Sequence, residues 1–428
     1  FEPVLRAIVE SLRSGKHITL EQGIELWNYP NLSVVATLAT ACKQARFGDQ
    51  VFFNSNLHVN QTNICTLACK FCAFRRGPRA KDAYALSIDE FIERIRPYEA
   101  MIDEVPKKKV PGVLLYVHGP ELTFLGTSGF ADRKTKAPLR GDHTLRIASV
   151  GKTYVSALAQ LAANDGLIDL DQTIDHYLDQ EILSQLPDAL RPTIRQLLNH
   201  TSGIPDYYGV RFYLTDWQDR GPLTLDLVLR AIRGKKATHQ PGETFSYSNT
   251  NYHVVAARLE KVHAMDLATL FKRQLFVPLA LNDTYYNERS PRGDDIHGYG
   301  APMQPWVDTY DWQENSGPDS GIKASAADVA KWIRALFSDD GALAAIGQQM
   351  TNAPVQERTR KLQGMGVEIL ESRSGVKVVG HTGGADGYLT AAFYIRESDL
   401  VFVLHINKSD EKRFSALLSQ TLKTLLSQ

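Results

Sequence analysis

Apolar residues recur at helical spacing over 87–95, where Ile88, Phe91, Ile92 and Ile95 share one face and predict an amphipathic helix. A Pro- and Lys-rich break, VPKKKVPG at 105–112, follows, and the change of pattern puts a domain boundary between about 80 and 105. Beyond it, GVLLYVH and ELTFLGTSGFA read as two strands of a hairpin. Residues 149–164 are helical, with Tyr154, Val155, Leu158 and Leu161 on one face and Gly166 as C-cap. A helix-rich middle spans roughly 165–345. VKVVGH, YLTAAFYI and LVFVLHI then form three β-rich runs separated by short turns, an expected antiparallel meander. The chain closes on an amphipathic helix carrying Phe414, Leu418, Leu422 and Leu425. Strands at both ends with helices between require a sheet assembled from distant segments. The fold class is therefore α/β (α+β): an antiparallel sheet flanked by helices, with a helical subdomain.

Upstream the pattern differs. ITLEQGIELWN at 18–28 opens with a capping box, Thr19 to Gln22, and Ile24 and Trp27 supply the apolar spacing. A second helical stretch lies near 33–46, VFFNSN and LHVN look extended, and AFRRGPRAKDA at 73–83 reads as a basic loop.

Composition narrows the possibilities. The 428 residues carry 48 Lys+Arg against 48 Asp+Glu, with 43% apolar and 22% charged, which is ordinary for globular domains. The balanced charge argues against a general nucleic-acid binder. No apolar run reaches the ~18 residues of a membrane helix. The opening FEPVLRAIVESLRSGKH lacks the apolar core of a signal peptide, so the expected compartment is the cytoplasm.

All four cysteines, Cys42, Cys65, Cys69 and Cys72, fall in the first 72 residues. Three of them form the spacing CxxxCxxC, which suits metal better than a disulfide scaffold. Three thiolates on one loop can hold three irons of a cubane cluster and leave the fourth open. Zinc wants four ligands, and His58 is the nearest, poorly spaced candidate. NSNLHVNQTNICTLACKFCAFRRG resembles the cluster loop of radical S-adenosylmethionine (radical SAM) enzymes, in the aminofutalosine synthase branch of menaquinone biosynthesis. The resemblance covers about residues 1–95. It implies Cys65, Cys69 and Cys72 as ligands of a [4Fe-4S] cluster whose open iron S-adenosylmethionine chelates, with Cys42 a structural thiol. A full barrel of βα units needs roughly 200 residues or more. The N-terminal module is therefore expected to be truncated.

The second chemical signal is Ser149-Val-Gly-Lys152, an SxxK at the start of the 149–164 helix. Spacing i, i+3 puts both side chains on one helix face, and the positive helix N-terminus favours a developing alkoxide on Ser149. A buried Lys152 can accept its proton. Tyr247-Ser248-Asn249 adds a phenol that a neighbouring ammonium would push toward phenolate, and an amide able to steady Lys152 and donate to substrate. His381-Thr382-Gly383-Gly384 follows the VKVVG strand. Glycines there admit close backbone approach, and a backbone N–H can complete an oxyanion hole with that of Ser149. Their order, with gaps of about 100 and 130 residues, is hard to obtain by chance.

These motifs resemble the serine β-lactamase-like family, in its class C, DD-peptidase and esterase branch. The likeness runs over about residues 105–428 and includes VPGVLLYVHG, LRIASVGKTY, LDQTIDHYL, IRQLLNHTSGIPDY, PGETFSYSNTNY, SGIKASAADVAKWI and GHTGGADGY. The resemblance implies a β-lactamase/transpeptidase-like fold with no cofactor. Ser149 is then the acylated nucleophile, Lys152 its proton partner, Tyr247 the acid/base and Asn249 a substrate-side donor. The N–H groups of Ser149 and Gly384 form the oxyanion hole. His381 stands where many β-lactamases carry Lys, so a fixed positive charge is lost near neutral pH. Efficient β-lactam hydrolysis is correspondingly less expected.

The organisation expected is a truncated radical module at 1–95, a boundary at 96–111 and a hydrolase domain at 112–428. The leading reading is a serine hydrolase acting through an acyl-enzyme on a small ester or D-amino-acid peptide or amide. The alternatives are a fragmentary radical enzyme of menaquinone biosynthesis and a penicillin-binding sensor that acylates without turnover. No nucleic-acid or membrane partner is expected.

Overall fold

The structure is a computed structural model. It describes residues 88–105, 110–120, 122–187, 190–209, 212, 221, 223–372 and 375–426, with positions 5, 8–10, 19, 22, 29, 34 and 35. The chain divides into two compact units, Phe1–Asn56 and Leu57–Gln428. In the first, the Thr19 N–H donates to Gln22 Oε1 at 2.9 Å and the Gln22 N–H to Thr19 Oγ1 at 3.2 Å. This is the reciprocal capping box expected there. Cys42, Cys65, Cys69, Cys72, His58 and the loop at 73–83 lie outside the described residues.

The first described element of the second unit is helix α1, Ile88–Asp103. The helix continues through Pro97, whose ring costs one backbone hydrogen bond but not the apolar stripe. Ile95, Tyr98, Met101 and Ile102 are buried along it. Residues 96–103, expected to belong to a boundary segment, are thus the second half of a packed helix. Pro97 and the lysines that follow conceal that continuity.

The strands of the main sheet are β1 (Gly112–His118), β2 (Thr123–Asp132), β3 (Ala137–Pro138), β9 (Val355–Arg358), β10 (Lys361–Gln363), β11 (Glu368–Glu371), β12 (Lys377–Ala385), β13 (Tyr388–Ile395) and β14 (Leu400–Ile406). The sheet is antiparallel and, among the described residues, nine-stranded, in the order β3-β2-β1-β14-β13-β12-β11-β10-β9. The β1–β2 hairpin and the β12–β13–β14 meander pair as their alternation implies, and β14 docks on β1 to join the two ends of the unit. A smaller sheet sets Ile322–Ser325 (β8) between Thr144–Arg146 (β4) and Thr284–Tyr286 (β5). Tyr299–Ala301 (β6) and Gln304–Asp308 (β7) form a hairpin.

Helix α2, Lys152–Asn164, is buried on most sides and runs through the core. Tyr154 stacks on Trp332 with centroids 4.0 Å apart, and Trp332 Nε1 donates to Thr153 Oγ1 at 2.7 Å. Helix α3 (Leu225–Ile232) packs on α4 (Thr250–His263), which packs on α2, and α5 (Ala326–Phe337) supplies Trp332. Helix α6, Glu411–Leu425, covers the other sheet face with α1. Its buried stripe is Phe414, Leu417, Thr421 and Leu425, while Leu418 and Leu422 pack at its margin. The expected stripe is displaced because Thr421 is accommodated by donating to its own helix at Leu417 O, 2.9 Å away. No described helix is long and apolar enough to cross a membrane.

Candidate active site

Ser149 sits in a short 3-10 turn, Ala148–Gly151, immediately before α2. The α-helix itself starts at Lys152, three residues later than the SxxK spacing implies. Ala148 has φ +49°, the left-handed region that non-glycine residues seldom enter. Such strain costs on the order of 1 kcal/mol and here sets the direction of the following side chain.

Lys152 is fully buried, and its Nζ donates to Ser149 Oγ at 2.9 Å, Asn249 Oδ1 at 2.7 Å and the Asp319 carbonyl at 3.0 Å. All three protons of an ammonium are thereby placed. Burial drives the lysine pKa down to about 8, with Asp319, Asp206 and Glu368 limiting the fall. Asp319 is buried with Tyr207 O–H donating to Oδ2 at 3.2 Å and His253 Nε2 lying 3.0 Å from Oδ1. Burial raises its pKa, but His253 and Lys152 outweigh that and hold it below the ordinary value.

Asn249 precedes α4, its side chain fixed from both ends. Its Nδ2 donates to Asp206 Oδ2 at 2.9 Å and its backbone N–H to Oδ1 at 3.1 Å. A carboxylate can only accept and an ammonium only donate, so the amide must turn its oxygen to Lys152. One amide proton is thus committed to Asp206, and one remains for a ligand.

Tyr247 shares a hydrogen bond with Ser149, and Lys152 Nζ lies 5.2 Å from its ring centroid. His200 stacks on the other side at 4.1 Å. The expectation that Lys152 favours phenolate is corrected here. Burial dominates and pushes the Tyr247 pKa well above its ordinary value, the Ser149 hydrogen bond only partly opposing it. At rest the phenol is protonated, and the group closest to deprotonation at neutral pH is Lys152.

The opposite wall is β12. The HTGG segment lies within the strand, not beyond its end. A Cβ on Gly383 would fall 2.1 Å from Ile147 O and 3.1 Å from Ser149 N, so only glycine lets the strand pass this close to the serine turn. His381 is buried and its pKa falls to about 4, chiefly through burial. Its Nδ1 bonds the Thr382 carbonyl. On the adjacent β11, Glu368 Oε1 accepts from Lys361 Nζ and Thr382 Oγ1, each at 2.9 Å.

Ser149, Tyr247, Asn249, His381 and Gly384 all line one cleft of about 320 Å³, and Lys152 lies beneath it, bonded to Ser149. Six positions from three distant stretches therefore meet at this one cleft. Sequence reasoning did not single out Asp206, Asp319, His200 or Glu368. His200 and Asp206 stand in NHTSGIPDY, a stretch dense in turn-formers and polar residues inside a helical region. Asp319 and Glu368 carry no local signal, because only the tertiary fold makes them buried.

Residues 93–424 match the Beta-lactamase family model, and the chain belongs to that family, whose members include serine hydrolases. It is 26% identical over 338 residues to "Penicillin-binding protein 4*" of Bacillus subtilis, covering 75% of this chain and 73% of that one. It is 23% identical to a D-aminopeptidase of Brucella anthropi, covering 72% of this chain and 58% of the relative. A 94-residue stretch, 22% of this chain, is 38% identical to 24% of the Aminodeoxyfutalosine synthase of Streptomyces coelicolor. Among solved structures, the D-amino acid amidase of Ochrobactrum anthropi shares the fold with a TM-score of 0.68 at 23% identity, covering 78% of this chain and 99% of that one.

Proposed function

We propose that Ser149 is acylated by a small ester or a D-amino-acid peptide or amide and then released by water. The observation that carries this reading is the 2.9 Å contact between Ser149 Oγ and a buried Lys152 whose pKa falls to about 8. The neutral fraction of Lys152 takes the serine proton as Oγ attacks the carbonyl carbon. The backbone N–H groups of Ser149 and Gly384 receive the oxyanion. The protonated Tyr247 hands its proton to the leaving group, and the proton that Lys152 took from Ser149 then restores Tyr247. Water then attacks the acyl-enzyme along the same path in reverse, restoring Ser149. Asp206 and Asp319 act as positioning residues, the first through Asn249 and the second beside Lys152. D-aminopeptidase and D-amino acid amidase among the relatives favour an amide of a D-amino acid, and a neutral His381 disfavours substrates that rely on a cationic third motif. Hydrolysis of p-nitrophenyl acetate and of D-alanine p-nitroanilide, lost together in Ser149→Ala, tests the reading. Turnover that survives that substitution refutes it.

A second reading concerns the cysteine-bearing N-terminal segment. Its similarity to a quarter of a radical SAM synthase supports Cys65, Cys69 and Cys72 as a cluster-binding set. Bound iron and sulfide after anaerobic reconstitution, lost in the triple Ala variant, is the expected result. No iron retained in the unsubstituted protein contradicts it.

A further inference from the structure

Two buried acceptor atoms on the β11–β12 wall have no hydrogen-bond partner. Glu368 Oε2 is one: Lys361 and Thr382 occupy only Oε1. His381 Nε2 is the other. Its ring bonds the Thr382 carbonyl through Nδ1, and a carbonyl can only accept, so Nδ1 carries the proton. In the neutral ring Nε2 is then a bare lone pair. Glu368 faces Gly380 across the β11–β12 ladder, which places His381 one residue along, and both side chains line the cleft beside Ser149. Two orphaned acceptors at one wall call for a ligand that donates more than one proton.

We propose that this wall binds the free ammonium group of the substrate, Glu368 Oε2 and His381 Nε2 accepting two of its protons. The assignment rests on the hydrolase reading above and narrows its substrate to amides or esters of amino acids with an unblocked amine. Charge agrees with it. Burial opposes ionisation of Glu368, but the Lys361 charge and the hydrogen bonds from Lys361 and Thr382 hold its pKa below the ordinary value. Lys361 is already paired with Glu357 at 3.0 Å and with Glu368, so its charge is satisfied. A terminal carboxylate at this wall would meet Glu368 at close range and leave both acceptors unpaired, whereas an ammonium satisfies both. The geometry therefore selects against acylated and des-amino substrates, because a polar site rejects an analogue that cannot pair its buried groups.

The test compares D-alanine p-nitroanilide with its N-acetyl and propionyl counterparts. The wild type is expected to favour the free amine by about tenfold or more in kcat/KM, mostly through KM. Glu368→Gln should shrink that ratio to within about threefold. Equal use of the three substrates by the wild type overturns the proposal, as does a ratio that survives Glu368→Gln. Binding of D-alaninamide against propionamide to Ser149→Ala, followed by NMR titration, asks the same question without turnover. Tenfold tighter binding of the amine supports the site even if Ser149 proves not to be the nucleophile. Equal binding removes it even in a working hydrolase. If Glu368→Gln does not fold, the wild-type ratio and the titration still decide.

Discussion

Strands β13 and β14 present two unlike faces. On one, Leu389, Ala391, Phe393 and Ile395 alternate with the rest of β13 and meet Leu400, Phe402, Leu404 and Ile406 of β14 beneath α1 and α6. On the other, Ala392, Thr390 and His405 look toward α2 and the serine turn. The first face is almost wholly apolar, and Phe393 stacks on Phe402 at 5.9 Å. The second mixes core residues, Tyr388, Tyr394, Val401 and Val403, with a buried polar pair, Thr390 Oγ1 and His405 Nδ1 2.8 Å apart. One set of strands thus serves as scaffold on one side and as the base of the chemistry on the other. Side-chain alternation with period two makes that separation possible. Damage to the first face should lower stability, and damage around the second should lower rate.

The largest expected effect is on the chemical side. Ser149→Ala should reduce turnover of activated esters by on the order of 10³ or more, with a melting temperature close to that of the wild type. Loss of both together would blur the separation. On the scaffold side, Phe393→Ala empties a fully buried ring site and should cost ~3–5 kcal/mol in denaturant unfolding. The kcat per folded molecule should stay near wild type.

Gly383→Ala tests where the faces meet. Its Cβ would strike Ile147 O, so β12 must retreat from the serine turn, at a cost of ~1–3 kcal/mol and with a loss of rate. Full activity in this variant would show that the strand and the turn are not coupled. Asp206→Asn leaves Lys152 and Ser149 in place but removes the carboxylate that orients Asn249. A fall in kcat on the order of tenfold is expected, since one oriented buried hydrogen bond is worth ~1–3 kcal/mol.

The pH profile probes the chemical side without any substitution. Lys152 must be neutral to accept a proton, and burial lowers its pKa to about 8. Hydrolysis of a neutral ester should therefore rise with pH, about tenfold per unit below 8, and level above it. His381, with a pKa of about 4, should add no limb between pH 6 and 8. A profile flat across that range would remove Lys152 as the base.

Much of this architecture is legible in the amino-acid sequence. The β1–β2 hairpin and the closing meander follow from alternation and turn residues, and the three motifs follow from residue type and spacing. What escapes depends on tertiary context. Helix α1 runs past Pro97 because Tyr98, Met101 and Ile102 bury against the sheet, and packing overrides a local breaker. The state of Tyr247 escapes because the sequence shows a nearby cation but not the burial that outweighs it. Asp206 and Asp319 are silent because a lone Asp in a loop looks the same whether it is solvated or holds a lysine network.

The central claim is that the Ser149 hydroxyl is the nucleophile. Intact-mass and peptide-level analysis after treatment with a fluorophosphonate tests it most directly. One adduct on the peptide containing Ser149, absent in Ser149→Ala and slowed in Lys152→Ala, is the predicted result. An unlabelled Ser149, or labelling indifferent to both substitutions, contradicts it.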